Sequence, residues 1–146
     1  MITNVFIPFF TTSRYRVQTM VDLAEPKLGE KGIDLGSGDG RIVIAFATKG
    51  VEMLGLELDE QLARKSREII KNENLTHARI EEKDLWDVDL SLFDIICIYP
   101  MPDIMQDLEK KLAKETKPGA RILTNYYPLP TWSVKSTKYH IFLYQR

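Results

Sequence analysis

The sequence contains little of what disulfide-bonded, metal-binding or nucleic-acid-binding proteins depend on. Of 146 residues one is cysteine and two are histidine, so neither a disulfide framework nor a catalytic metal is expected. Cys97 lies in an apolar run and is predicted to be a core residue. The 20 Lys and Arg residues are balanced by 21 Asp and Glu, which leaves no strong signal for nucleic-acid binding. The composition indicates one soluble globular domain.

No hydrophobic run is long enough to cross a membrane. The longest stretch without a charged or strongly polar residue covers positions 95–102, whereas a membrane helix needs about 20 residues. The N-terminus is apolar, but no basic residues lead it and Pro8 interrupts it, so a secretory signal is not expected. We therefore expect a cytoplasmic protein, a monomer or weak oligomer, without membrane attachment.

Short apolar runs alternate with charged amphipathic stretches, a pattern typical of strand–helix units around a mostly parallel sheet. Predicted strands occupy positions 31–35, 52–58, 78–82, 93–99 and 120–126. Predicted helices occupy positions 17–28, 40–48, 59–72 and 103–116. Asp59 and Asp103 are the expected N-caps of the last two helices. The most apolar strand, the fourth, is expected to be central and buried on both faces.

The end of the chain changes character, because two short strands at positions 134–138 and 139–144 leave no room for a helix between them. They predict an antiparallel hairpin. The whole chain then forms one domain, whose parts are an N-terminal lid segment and helix, a cofactor-binding core and the hairpin, at positions 1–29, 30–126 and 127–146. This layout resembles the Rossmann-like α/β fold of class I S-adenosylmethionine-dependent methyltransferases, with helices on both faces of the sheet. Fold alone does not establish a function.

A glycine-rich loop is predicted where the first strand turns into a helix. Gly36, Gly38 and Gly40 permit positive φ angles and let the backbone, with Ser37 between them, approach a ligand closely. A dinucleotide fingerprint requires Gly or Ala at the next position, where this chain has Arg41. No Gly-Lys-Ser or Gly-Lys-Thr follows either. The loop therefore disfavours NAD, FAD and a Walker-type nucleotide site.

Three acidic residues at predicted strand ends suit a nucleoside that carries an amino acid. Asp34, two residues before Gly36, is a poor neighbour for a pyrophosphate, but it can hold the ammonium of a methionyl group directly or through water. Glu57, 21 residues after Gly36, can accept hydrogen bonds from both ribose hydroxyls. The alternative interpretation is that Glu57 is only a solvated acid at the end of a strand. Asp84 can accept a hydrogen bond from the adenine amine while Leu85 packs on the ring.

The loop belongs to a longer series of motifs. It continues as far as position 45, and the further motifs are Gly55-Leu56-Glu57-Leu58-Asp59, Ser66-Arg67, Asp84-Leu85-Trp86, Asp89-Leu90-Ser91 and Pro118-Gly119-Ala120-Arg121. Together they resemble the small archaeal protein lysine methyltransferases and their mitochondrial relatives, which act on the adenine nucleotide translocase and the ATP synthase c-subunit. The resemblance covers about positions 7–132. It implies S-adenosylmethionine as the cofactor and, as the partner, a protein that presents lysine.

The resemblance also implies roles for Thr12 and Tyr99. In the family a proline-rich segment before the first helix closes over the cofactor; its threonine corresponds to Thr12, and here Thr11 and Ser13 replace the usual prolines. Tyr99 corresponds to the tyrosine of the family's Tyr-Leu-Leu-Pro turn and is the candidate catalytic residue. Its ring can face the sulfonium or the amine, and its hydroxyl and carbonyl can orient the nucleophile. The alternative is an aromatic residue that only caps the sheet edge.

Transfer to nitrogen requires a neutral amine aligned with the methyl carbon at about 3–3.5 Å. Because a free lysine has a pKa of about 10.4, deprotonation at pH 7 costs roughly 4.6 kcal/mol, much of which positioning and desolvation can supply. A dedicated general base need not exist, and the one acid that could attract a lysine side chain there is Asp103, whose other predicted role is the helix cap. Three functions stay open: a protein lysine methyltransferase, an RNA or small-molecule methyltransferase on the same core, and a protein that binds S-adenosylmethionine without turnover.

Overall fold

The computed structural model of the protein describes residues 12–146, so the part of the predicted lid segment before Thr12 lies outside the described residues. Within that range the chain forms one seven-stranded sheet. Its strands in chain order are β1 (Lys31–Leu35), β2 (Glu52–Leu56), β3 (Ala78–Glu81), β4 (Ile95–Ile98), β5 (Arg121–Asn125), β6 (Ser136–Lys138) and β7 (Ile141–Gln145).

The strands lie side by side in the order β3-β2-β1-β4-β5-β7-β6. The first five are parallel, and β7 runs antiparallel to both β5 and β6. All four residues of β4 are buried, as expected of a central strand with apolar side chains on both faces. The predicted α/β fold with a C-terminal antiparallel hairpin is confirmed.

Helices cover both faces of the sheet, as predicted, but unevenly. They are α1 (Arg14–Ala24), α2 (Arg41–Ala47), α3 (Glu60–Asn72) and α4 (Met105–Glu115). The first three pack on one face, where their apolar residues join Cys97 of β4 in a single core cluster. On the other face α4 contributes Leu108 and Leu112 to a second cluster, which the loops before β4 and after β5 complete. None of these helices, in the part of the chain described, is long and apolar enough to span a bilayer.

Local geometry corrects three predicted helix boundaries. The first helix begins at Arg14, because the Ser13 hydroxyl accepts a hydrogen bond from the Arg16 N–H, and it ends at Ala24, because Glu25 adopts a left-handed conformation with φ of 47°. Asp59 caps α3 as predicted, accepting from two backbone N–H groups. The predicted cap at Asp103 is wrong. This residue lies inside a short 3₁₀ helix, Pro102–Ile104, that leads directly into α4.

The hairpin between β6 and β7 closes through a two-residue turn. Lys138 pairs with Ile141, and the residues between them, Tyr139 and His140, have φ angles of 50° and 60°. Two consecutive positive φ angles are the requirement of a type I′ turn, although neither residue is the usual Gly or Asn. Arg16 of α1 holds this turn, since Nε donates to the Tyr139 carbonyl and Nη2 to the His140 carbonyl, each at 3.3 Å.

Candidate active site

The strand order changes direction at β1, which lies between β2 and β4. In an open parallel sheet, such a switch point leaves a crevice at the carboxyl ends of the strands, where ligands bind. The glycine loop starts in this crevice directly after Leu35 and ends at Arg41, the first residue of α2. The fold therefore places the predicted cofactor loop at the usual ligand-binding edge.

The loop is held in shape by β2. The N–H groups of Gly36 and Ser37 donate to the Leu56 carbonyl at 3.0 and 2.7 Å, and the Gly38 N–H donates to Oε1 of Glu57 at 2.8 Å. Gly36 has a φ of 97° and is exposed, and an added Cβ there would meet no atom within 4 Å. Backbone that is already hydrogen-bonded and open on one side is suited to a ligand that packs against it.

A second anchor comes from α3. The buried Ser66 hydroxyl lies 3.0 Å from the Gly38 carbonyl and 2.7 Å from the Leu62 carbonyl, and it can donate to either of them. Ser66 also packs against Gly40, where an added Cβ would lie 3.1 Å from the serine Cβ. The next residue, Arg67, donates to the Ile80 carbonyl of β3 through Nε and Nη2. The Ser66-Arg67 motif thus joins the loop, α3 and the edge strand.

Buried polar atoms without partners lie beneath the loop. Asp34 is 2% exposed, and its Oδ2 has no hydrogen-bond partner among residues 12–146; the same holds for Oγ of Ser37. Burial raises the pKa of Asp34 well above its usual range, and the nearby Glu57 carboxylate raises it further. An unpartnered buried carboxyl beside another acid is the environment that a cationic group would stabilise. These atoms therefore fit the amino group of a methionyl moiety.

Glu57 follows β2 and shares its carboxylate between two backbone donors. Oε1 accepts from Gly38, and Oε2 accepts from the Asp59 N–H at 2.8 Å. Each carboxylate oxygen can accept a second hydrogen bond, so both remain suited to ribose hydroxyls. The side chain is half-buried, which fixes its position without removing it from a ligand.

Asp84 and Leu85 lie beyond β3, at the outer end of the same edge. Both are half-buried, and one carboxylate oxygen of Asp84 accepts from the Trp86 N–H at 3.2 Å, capping a 3₁₀ helix, Leu85–Asp87. Asp34, Glu57 and Asp84 therefore follow the adjacent strands β1, β2 and β3 in that order. The order matches the sequence of amino acid, ribose and adenine along an S-adenosylmethionine molecule.

Thr12 connects the start of the described chain to the loop. It is buried, its hydroxyl accepts from Nδ2 of Asn125 at 2.7 Å, and its carbonyl accepts from Nη1 of Arg41 at 2.8 Å. Arg41 also pairs with Asp39, with Nε 3.0 Å from Oδ1, and this hydrogen bond lowers the pKa of Asp39. Sequence reasoning used Arg41 only to exclude a dinucleotide site and missed this link. Its position at the start of α2, within the loop motif, was the available signal.

Tyr99 follows β4 and belongs to a cluster of aromatic rings that the sequence analysis did not anticipate. Its ring centroid is 6.4 Å from that of Tyr127, which is 4.9 Å from Tyr126, and Tyr126 is 5.3 Å from His140 of the hairpin turn. Tyr15 of α1 packs on the other turn residue, with centroids 4.4 Å apart. Burial raises the pKa of Tyr99, and the Arg16 charge only partly opposes it.

Comparison with known proteins points to the same chemistry. A family model described as the ANTKMT methyltransferase domain matches residues 34–136. The lysine N-methyltransferase of the ATP synthase c-subunit from Homo sapiens is 35% identical over 131 residues, which make up 89% of this chain and 56% of that protein. The chain thus spans little more than half the length of this relative. The protein-lysine N-methyltransferase of Saccharolobus islandicus is 27% identical over 132 residues, 88% of this chain and 82% of that protein.

A solved structure extends the similarity to three dimensions. The crystal structure of an RNA methyltransferase from Salinibacter ruber in complex with S-adenosyl-L-homocysteine matches with a TM-score of 0.87 and 27% identity, over 93% of each chain. The described fold is therefore that of the class I methyltransferases.

Proposed function

The chain belongs to the ANTKMT methyltransferase family, and from that premise we propose that it transfers methyl groups from S-adenosylmethionine to lysine side chains of proteins. The observation that carries the proposal is the buried Asp34 carboxyl, whose Oδ2 is unpartnered beneath a preformed glycine loop. A cationic amino group is the ligand that this environment lacks.

Different residues of the crevice contact different parts of the cofactor. In this proposal Asp34 and the loop hold the methionyl part, Glu57 holds the ribose, Asp84 and Leu85 contact the adenine, and Thr12 covers the site. The loop residues concerned are Gly36, Ser37, Gly38 and Gly40. When bound, the cofactor supplies an electrophilic methyl group on a sulfonium.

Tyr99 orients the methyl acceptor. It stands at the carboxyl end of β4, beside β1, so it faces the crevice next to the loop. Because burial raises the pKa of its phenol, the side chain stays neutral at physiological pH. A neutral phenol can donate a hydrogen bond and offer its ring to a cation, but it is a poor general base. Its role is therefore alignment of the amine.

A protein substrate is supported by the relatives that are named lysine N-methyltransferases. RNA is the second candidate, because the Salinibacter ruber neighbour is described as an RNA methyltransferase and is similar over 93% of both chains. The near-neutral net charge of −1 favours protein over RNA, since contacts to phosphates usually require an excess of positive residues. We place the activity in the cytoplasm, with the chain acting as a monomer or weak oligomer.

The test is transfer of a labelled methyl group from S-adenosylmethionine into a cell extract, with protease or ribonuclease treatment before counting. Label that protease removes and that is recovered as methyl-lysine supports the proposal. Label that ribonuclease removes supports RNA instead. Cofactor binding without label in any protein, RNA or metabolite fraction identifies a non-catalytic binder. An Asp34→Asn variant should lose the label, and Asp107→Asn, which changes an exposed acid of α4 that belongs to none of the proposed cofactor contacts, should keep it.

A further inference from the structure

Arg16 is a fixed positive charge at the edge of the crevice. Its guanidinium donates to the carbonyls of Tyr139 and His140, and its Cζ lies 5.5 Å from the centre of the Tyr126 ring. The side chain is half-buried, so water screens its charge less than that of a surface arginine. These contacts position the charge on the aromatic cluster.

The same guanidinium is linked to Tyr99 through the aromatic cluster, because the Tyr99 ring lies 6.4 Å from that of Tyr127, which lies 4.9 Å from that of Tyr126. The Arg16 charge opposes part of the effect of burial on the pKa of the Tyr99 phenol. The start of α1 is itself held over the crevice, because Thr12 is tied to Asn125 at the end of β5 and to Arg41 at the loop. Any group that Tyr99 aligns must therefore approach the positive charge of Arg16.

No carboxylate in the described part of the chain neutralises this charge. Among residues 12–146, no Asp or Glu forms an ion pair with Arg16, and positions 1–11 contain no acidic residue. The titratable and charged groups in the cluster around it are tyrosines, a histidine and further cations: Tyr99 after β4, Tyr126 and Tyr127 after β5, Lys138, Tyr139 and His140 of the hairpin, and Arg14 and Tyr15 of α1. The acids on the adjoining elements are Asp22 of α1, which accepts from Gln18, and Asp39 before α2, which pairs with Arg41.

We propose that Arg16 disfavours the ammonium form of the lysine aligned by Tyr99, so that the methyl acceptor is present as a neutral amine. A nearby like charge favours the uncharged form of an amine, and enzymes use this to activate lysines. The inference rests on the proposed function. It explains how the reaction proceeds without a dedicated general base.

Proton release precedes methyl transfer in this scheme. The lysine ammonium first gives one proton to solvent. The nitrogen lone pair then forms the N–C bond while the S–C bond of the donor breaks, and the bonding pair remains on sulfur. The product leaves as a methylammonium. Arg16 forms no bond with either reacting atom, so it is a positioning residue that acts through charge.

The test compares three variants of one helix. Arg16→Gln removes the charge and keeps an amide donor, Arg16→Lys keeps the charge, and Arg14→Gln removes an exposed arginine two residues earlier on α1. Initial rates of methyl transfer to an unfolded lysine-containing protein are measured from pH 6.5 to 9.5. For Arg16→Gln we expect the rising limb of the profile to move up by about one pH unit, so that turnover near pH 7 falls roughly tenfold. KM should not rise. Arg16→Lys and Arg14→Gln should keep the wild-type profile.

A binding measurement separates the effect of the Arg16 charge from any structural effect of the substitution. In the presence of S-adenosylhomocysteine, a lysine peptide is compared with the same peptide carrying norleucine, which lacks the charge. At pH 7 Arg16→Gln should bind the lysine peptide several-fold more tightly than the wild type does, and the norleucine peptide equally well. Equal effects on both peptides, or a rate loss without a shift in the pH profile, would overturn the inference.

Other outcomes are equally decisive. Weaker binding of S-adenosylhomocysteine to Arg16→Gln with an unshifted profile would mean that Arg16 holds the carboxylate of the cofactor, and the inference would be wrong. A wild-type protein that methylates no lysine would overturn the proposed function together with this inference. A wild-type protein that methylates lysine, with an Arg16→Gln profile that coincides with it, would overturn the inference alone.

Discussion

Replacing Asp34 with asparagine should stabilise the protein increasingly as the pH rises, while it impairs cofactor binding. The Asp34 carboxyl is buried between the neighbours of β1, with Gly55 of β2 on one side and Cys97 of β4 on the other. Burial and the Glu57 carboxylate raise its pKa well above that of the unfolded chain, which is about 4. The folded protein without ligand therefore keeps a proton that the unfolded chain releases.

The size of the effect follows from this difference in bound protons. At pH values between the Asp34 pKa of the unfolded chain and that of the folded protein, the unfolded chain binds fewer protons. The free energy of unfolding therefore falls by about 1.4 kcal/mol for each unit of increasing pH. Asp34→Asn abolishes this dependence. The buried amide N–H of the new residue costs about 1–3 kcal/mol if unpartnered, but that cost does not change with pH. The slope of the difference between variant and wild type therefore isolates the protonation effect.

Urea denaturation at pH 5, 6 and 7, without cofactor, measures this slope. The variant should gain about 1.4 kcal/mol relative to the wild type for each pH unit below the folded pKa of Asp34. Its affinity for S-adenosylhomocysteine, measured by calorimetry, should fall at least roughly tenfold, or about 1.4 kcal/mol. Asp107→Asn controls for the loss of one negative charge at an exposed site. Parallel stability curves for wild type and Asp34→Asn would refute the reasoning.

Three further predictions test other parts of the site. Glu57→Ala removes both acceptors for the ribose and the partner of the loop N–H, so affinity for S-adenosylhomocysteine in calorimetry should fall by at least about 1.4 kcal/mol, and wild-type affinity would contradict the assignment. Gly55→Ala introduces a Cβ at 2.6 Å from Cδ1 of Ile80 and 2.8 Å from Cβ of Ser37, so it should cost about 1–3 kcal/mol in urea denaturation and also weaken ligand binding. Cys97 is inaccessible, and burial raises the pKa of its thiol, so a thiol-specific dye should label it only after unfolding; rapid labelling of the native protein would contradict the fold.

The sheet was predictable because its strands are short, apolar and bounded by charged residues. Several strands end earlier in the structure than the sequence pattern predicts. Glu57 and Leu58, for example, were predicted within the second strand, but the chain leaves the sheet after Leu56 to form the loop contacts. The end of α1 was missed because a left-handed Glu25, rather than the later Gly29, stops the helix. Local pattern thus indicates which segments pair, and tertiary contacts decide where they end.

The candidate site, too, could be predicted only in part from the sequence. Asp34, Glu57 and the loop glycines could be predicted as site residues because each lies at or just after the end of a strand. Arg16 and Tyr139 were not, because 123 residues separate them in the chain. The hairpin turn, with its two positive φ angles, brings that tyrosine to α1. No periodicity or motif in a single sequence indicates a contact between residues so far apart in the chain.

The hydrogen bonds that hold the glycine loop have a consequence for turnover. Leu56, Glu57 and Ser66 shape the loop before any ligand arrives, so the entropy of ordering it is lost during folding and not during binding. In the proposed function such a loop contacts the amino acid and ribose of the cofactor, which the reaction leaves unchanged. Interactions that are equally strong before and after reaction do not accelerate chemistry, and they retain the spent cofactor as firmly as the fresh one. The proposed function therefore predicts that S-adenosylhomocysteine inhibits methyl transfer, and that the rate depends on the ratio of S-adenosylmethionine to S-adenosylhomocysteine around the protein.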